Sequence, residues 1–334
     1  MGVMAVNDRC VSLLENYDVE VLRTWRGRGC ILCETNSGTL ILKEYGGHKE
    51  KSVFQDAVLG MIKKRGFSEI ESIIRNKEGE LLTVDSDGVC YILKTYFDGR
   101  ECNVHDMEEC RLAMSTLARL HKASHMEEGL PHPGGSFTVG QEFEKHNREL
   151  RRVRKFLREK GQKTDFEIYL MQCYDYFFQL ALQTAEDYNR HAGEADGDVP
   201  RIVCHGDFQH HNLIFEGDKL CVINFEKCVP DSPVRDIYLF MRKLLEKSDW
   251  AKSAGFLLLD AYEKENRLTR EEHVQLCYRL SYPEKFWKIV NFYYNTGKAW
   301  IPGKNMEKLE KIHLQEKEKI NFLQAYKKKY DILI

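Results

Sequence analysis

The stretch Val203-Cys204-His205-Gly206-Asp207-Phe208-Gln209-His210-His211-Asn212-Leu213-Ile214-Phe215 sets a carboxylate and an amide five residues apart between two short apolar runs. An aspartate there can accept the proton of an attacking hydroxyl. An amide oxygen five positions on, after a tight loop, can turn back toward a magnesium ion that holds nucleotide phosphates. The chemistry that this spacing suits is phosphoryl transfer. After the polar turn Glu216-Gly217-Asp218, a second strand is predicted over 219–226. It ends in Asn224 and Glu226, polar groups where a further metal ligand is needed. The Asp207/Asn212 spacing alone is weak, because polar loops between strands carry such pairs by chance. Its weight comes from the elements upstream.

Those elements must supply phosphate contacts. A strand over 17–26 runs into Arg26-Gly27-Arg28-Gly29. Strands over 30–34 and 39–45 follow, joined at Asn36-Ser37-Gly38, a short hairpin signal. Gly27 and Gly29 let backbone amides approach a phosphate without a Cβ in the way. Lys43 ends the apolar run Leu40-Ile41-Leu42, where its ammonium can pair with α/β-phosphate oxygens. A helix over 50–65, with Phe54, Ala57, Val58, Met61 and Ile62 on one face, can offer that lysine an acid. Glu50 and Asp56 both fit, and spacing does not choose between them. With strands over 71–75, 81–84 and 89–96, this makes a small antiparallel β-sheet lobe with one helix.

Phe97-Asp98-Gly99-Arg100-Glu101-Cys102 breaks the pattern and reads as the crossover to a mainly helical lobe. The expectation is an α+β, bilobal fold: a nucleotide-binding lobe over 1–98, and a helical lobe over 99–334 that carries the catalytic loop and a helical insertion near 141–190. The run Arg148, Arg151, Arg152, Arg154, Lys155, Arg158 and Lys160 reads as a solvated face before it reads as an anion-binding one. His121 and His125 read as helix-end packing. Trp287, Tyr293, Tyr294 and Trp300 read as core before they read as pocket.

At 334 residues, 43% hydrophobic and 31% charged, the chain is long enough for two cores and ordinary in composition. A net charge of −2 argues against nucleic acid as a partner. No apolar run is long enough to span a membrane, and the first residues lack a signal peptide's apolar core, so synthesis in the cytosol is expected. Eleven cysteines without framework spacing read as thiols. Cys30 and Cys33 form one Cys-x-x-Cys, with no second pair to complete a zinc site.

In combination these motifs resemble a known family. His205-Gly206-Asp207 with Asn212, followed by Ile223-Asn224-Phe225-Glu226, is similar to the aminoglycoside/choline kinase-type phosphotransferases, a branch of the protein-kinase-like fold. The chain resembles more closely the CotS family of spore coat proteins of endospore-forming bacteria, through Gly99-Arg100-Glu101-Cys102, the segment from Lys145 to Leu150, Tyr174-Asp175-Tyr176-Phe177 and Asn224-Phe225-Glu226. The resemblance implies ATP and Mg as cofactors, Asp207 as general base with His205 beside it, Asn212 as a magnesium ligand, and association with the spore coat and its other proteins. It also exposes a departure. Phosphotransferases carry aspartate where Asn224 stands, so the metal site loses a full charge, and Glu226 is the residue that would compensate. Two readings result: an ATP/Mg-dependent kinase acting on a hydroxyl of a small molecule, or a catalytically weakened pseudokinase serving the coat as a structural or interaction protein.

Overall fold

The structure, a computed structural model, describes residues 12–130, 137–191, 202–295 and 302–333. It begins with an antiparallel meander, β1 (Val21–Gly27), β2 (Cys30–Thr35) and β3 (Gly38–Glu44). Helix α1 (Lys49–Lys64) follows, then β4 (Ile73–Ile74), β5 (Thr83–Val84) and β6 (Cys90–Thr95). These strands form a six-stranded sheet in the order β1-β2-β3-β6-β4, with β5 also on β6. Each of the six falls on one of the six strand ranges expected from the sequence. The hairpin between β1 and β2 is closed by Arg28 and Gly29 alone. Gly29 has φ +69°, which a side chain would disfavour, and a Cβ on Gly27 would stand 2.7 Å from the Cys30 sulfur.

Strand alternation gives this sheet two different faces. One carries Cys33, Leu40, Leu42 and Leu93 into a core with Leu13, Leu14 and Tyr17. The register pairs Ile41 with Lys94 and Lys43 with Ile92, so Lys43 and Lys94 share the opposite face as diagonal neighbours. Cys30 and Cys33, an odd number of residues apart on β2, point to opposite faces and cannot chelate one ion. Ten cysteines are free thiols among the described residues.

The crossover is itself a strand, β7 (Arg100–Glu101). Helix α2 (Met107–Ala123) starts at Asp106, whose carboxylate accepts the backbone N–H groups of Glu108 and Glu109. Two long helices, α3 (Val139–Glu159) and α4 (Asp165–His191), precede β8 (Ile202–Cys204), β9 (Leu213–Glu216), β10 (Lys219–Val222) and β11 (Val229–Asp231). Strand β9 pairs with both β10 and β7, and β11 pairs with β8. The remainder is helical: α5 (Val234–Lys247), α6 (Lys252–Glu263), α7 (Arg270–Ser281), α8 (Glu284–Asn295) and α9 (Pro302–Lys329).

The chain divides into two compact units. One comprises Met1–Gly135, Pro200–Asp231 and Lys264–Asn266, and the other Ser136–Val199, Ser232–Glu263 and Arg267–Ile334. This division differs from the boundary at 98/99 expected from the break in the strand pattern. The crossover, α2 and the stretch around Asp207 belong with the sheet, because β7, β9 and β10 tie them together and Ile70 bridges to Val222. The helical unit has its own core, in which Phe143 stacks on Tyr282 and Phe177 on Phe286. Trp287 stacks on His146 and donates to Glu149, which makes it a packing residue. Trp300 lies outside the described residues. On α3, Arg154 pairs with Asp175 at 2.6 Å, while Arg148 and Lys155 are solvent-exposed.

Candidate active site

All the residues singled out around Asp207 and Lys43 lie in the first unit. His205 follows β8 and is buried. Its Nδ1 accepts the Asp207 N–H at 3.1 Å, so Nε2 carries the proton and donates to the Ile223 carbonyl at 2.9 Å. With both nitrogens on backbone, His205 positions the loop. Gly206 permits the next turn: its φ is +76°, and a Cβ there would stand 2.0 Å from the Lys227 carbonyl oxygen. Gly206→Ala is therefore expected to cost about 2 kcal/mol or more in unfolding free energy, because strained backbone and a backbone clash coincide. Denaturant titration checks this, and an unchanged midpoint would show that the loop is not held as described.

Asp207 is engaged through both carboxylate oxygens. Oδ1 accepts from Gln209 at 2.6 Å, and Oδ2 lies 3.0 Å from the Lys227 ammonium. Asn212 ends a 3-10 turn, His210–Asn212, and its Nδ2 donates to the Asp207 carbonyl at 2.8 Å. Its backbone carbonyl accepts the Ile223 N–H at 3.0 Å. These bonds lock the two segments together.

The strand expected over 219–226 stops at Val222. Asn224 adopts the left-handed conformation (φ 66°, ψ 59°), and a 3-10 turn, Phe225–Lys227, follows. The cause is Glu71, whose carboxylate accepts the backbone N–H groups of both Asn224 and Phe225 at 2.9 Å and pulls the chain out of the sheet. Asn tolerates the left-handed region better than most residues. Asn224 and Glu226 therefore do not share a face through extended alternation. They converge through a third residue.

That residue is Lys94, which the sequence reading passed over. It is 1% exposed, and its ammonium lies 2.9 Å from Glu71, 2.9 Å from Glu226 Oε1 and 3.2 Å from Asn224 Oδ1. Burial would lower its pKa, but the two carboxylates outweigh burial and raise it, so Lys94 is charged. Lys43 reaches the same Glu226 oxygen at 3.0 Å. Neither acid proposed on α1 pairs with Lys43. Glu50 is exposed in the first turn, and Asp56 faces Arg75 at 2.5 Å. From that helix Gln55 approaches the cluster, at 3.4 Å from Glu71.

Burial alone would raise the Glu226 carboxyl. The Lys94 and Lys43 ammoniums override it and hold the group down at about 2. A carboxyl depressed in the folded state stabilises the fold above its unfolded pKa, and this contribution is lost as pH falls through the folded value. On the order of 3 kcal/mol is expected to disappear between about pH 5 and pH 2. Unfolding free energies of the wild type and Glu226→Gln should therefore converge on acidification. Parallel curves would show that the carboxylate is not held by the lysines.

The donor set can be tested against magnesium. Asn212 Oδ1 accepts from Asn224 Nδ2 at 2.9 Å, Asn224 Oδ1 from Lys94, and Glu226 Oε1 from both lysines. Lys94 can only donate, which fixes the Asn224 amide with its oxygen toward the lysine and its NH2 toward Asn212. Two neutral amides and one doubly paired carboxylate suit Mg2+ poorly, since that ion is ordinarily held by free carboxylates, waters and phosphates. Asn224 and Glu226 meet on the Lys94 ammonium, and Asn212 joins them through the Asn224 N–H.

The fold is that of kinase-like phosphotransferases. An aminoglycoside phosphotransferase from Alicyclobacillus acidocaldarius superposes with a TM-score of 0.83 at 15% identity, covering 100% of this chain and 98% of that one. A spectinomycin phosphotransferase solved with ADP and spectinomycin gives 0.67 at 12% identity over 96% of this chain and 98% of its own. A microcompartment-associated aminopropanol kinase gives 0.61 at 13%, over 97% and 98%. No curated protein matches in sequence. Residues 11–326 match the spore coat putative kinase YutH family, and the chain belongs to that family.

Proposed function

We propose that this protein is a spore coat-associated, kinase-like protein that binds the phosphates of ATP through Lys43 beside the Gly27/Gly29 turn. It serves the coat as a structural or interaction protein, and its phosphoryl transfer is weak. The observation that carries this reading is the hydrogen bond from Asn224 Nδ2 to Asn212 Oδ1. In a phosphotransferase the side-chain oxygens at these two positions meet on a cation between them. Here an amide N–H fills that place, and a neighbouring lysine supplies the positive charge. The family and the fold of the neighbours support nucleotide binding and coat association.

Titration with ATP, followed by thermal unfolding and by product formation, tests this. ATP is expected to raise the melting temperature, Lys43→Met to remove that rise, and turnover to stay below ~0.01 per second, against the 1–100 per second usual for kinases. Turnover on the order of 1 per second would restore the enzyme reading. No response to ATP would remove the nucleotide site.

The intact loop around Asp207 favours a second reading, a slow phosphotransferase. Its carboxylate keeps lone pairs beyond those used by Gln209 and Lys227, and would take the proton of an acceptor hydroxyl on a sugar or an amino alcohol. Asp207→Asn separates the two, since it would abolish turnover only where there is turnover to lose.

A further inference from the structure

Lys43 and Lys94 stand on one face of the sheet, and both donate to a single oxygen, Glu226 Oε1, at 3.0 and 2.9 Å. Two ammoniums converging on one anionic oxygen is also how a phosphate oxygen is held. We infer that Lys43 and Lys94 form an anion site that takes nucleotide phosphate directly, without a divalent cation, and that Glu226 occupies this site until nucleotide displaces it. The inference rests on the nucleotide-binding reading above and adds how the phosphate is held.

Three features make the exchange physically reasonable. Lys94 does not depend on Glu226 alone: it keeps Glu71, whose carboxylate is itself fixed by two backbone N–H groups, so its charge stays compensated when Glu226 leaves. Lys43 and Glu226 are 34% and 23% exposed, so the pair can be reached and the carboxylate can turn outward from its short 3-10 turn. Tyr45, two residues along from Lys43, carries a buried hydroxyl without a hydrogen-bond partner. Charge counting agrees. Lys43 and Lys94 balance Glu71 and Glu226, and replacing one carboxylate by a phosphate oxygen preserves that balance, whereas a divalent ion added among these oxygens would compete with Lys94.

The site reverses the role that a compensating metal ligand would give Glu226. As a ligand, its loss weakens nucleotide binding. As a resident anion, its loss strengthens binding, because the incoming phosphate no longer competes with it.

Calorimetric titration of ATP into the full-length protein in EDTA, and again in excess magnesium, distinguishes these. Glu226→Gln is expected to bind ATP about tenfold tighter than the wild type in EDTA. Magnesium should leave both affinities within about twofold, and adding Lys43→Met should remove the gain. Circular dichroism establishes that the variants are folded. An affinity unchanged or weakened by Glu226→Gln overturns the inference. Binding that requires magnesium overturns it too, while leaving the nucleotide site standing. No binding by any variant in either buffer rejects both.

Discussion

Lys94→Met is expected to lower the unfolding free energy by about 3–5 kcal/mol, the cost of leaving buried carboxylate unpaired. Lys94 is the sole ammonium within ion-pair distance of Glu71 among the described contacts, and Glu71 is 2% exposed. Removing the lysine therefore strands a carboxylate that must still accept the Asn224 and Phe225 N–H groups to hold the turn. Adding Glu71→Gln to Lys94→Met should cost less than the sum of the single changes, because the charge left uncompensated is gone. Urea titrations of the two single variants and the double variant measure this. Full additivity, or a loss below ~1 kcal/mol for Lys94→Met, would mean that the cluster is solvated and the lysine is not its centre.

Asn224→Asp is expected to give the protein a magnesium response that the parent lacks. The substitution removes the N–H that bridges to Asn212 Oδ1 and sets a carboxylate oxygen against it. Asn212 cannot turn its amide without surrendering the bond from its Nδ2 to the Asp207 carbonyl. Two oxygens then face each other, and a cation between them relieves the repulsion. Aspartate also tolerates the left-handed backbone at this position. Excess magnesium should stabilise the variant by roughly 2 kcal/mol and leave the parent unmoved. Thermal unfolding with and without magnesium decides it. A parent stabilised as much as the variant would show that Asn224 already serves as a ligand.

Much of this architecture was legible in residue pattern. Helix α1 and the β2/β3 hairpin follow from apolar periodicity and turn chemistry, which are local signals. The charged cluster was not legible, because its parts lie far apart in the chain. Lys94 sits in Ile92-Leu93-Lys94-Thr95, where alternation marks it as facing one side of a strand but says nothing of what it meets. Glu71 and Glu226 are separated by more than 150 positions, and only the folded register brings them to one ammonium. A signal was present nonetheless: Lys43 and Lys94 both end apolar strands, and two such lysines on one sheet require carboxylates nearby. The strand stops at Val222, short of residue 226, for a related reason. The backbone at Asn224 and Phe225 is turned by Glu71, a tertiary partner that strand propensity does not contain.

Where active phosphotransferases place a divalent cation, the Asn224 N–H meets Asn212 Oδ1 and the Lys94 ammonium holds Asn224 Oδ1 and Glu226. Anomalous diffraction from crystals grown with manganese and a non-hydrolysable ATP analogue tests it most directly. No anomalous peak is expected among Asn212, Asn224 and Glu226, with the Lys94 nitrogen still on Asn224 Oδ1 and the Asn224 N–H on Asn212 Oδ1. A strong peak coordinated by Asn212, Asn224 or Glu226, with Lys94 turned away, would contradict it.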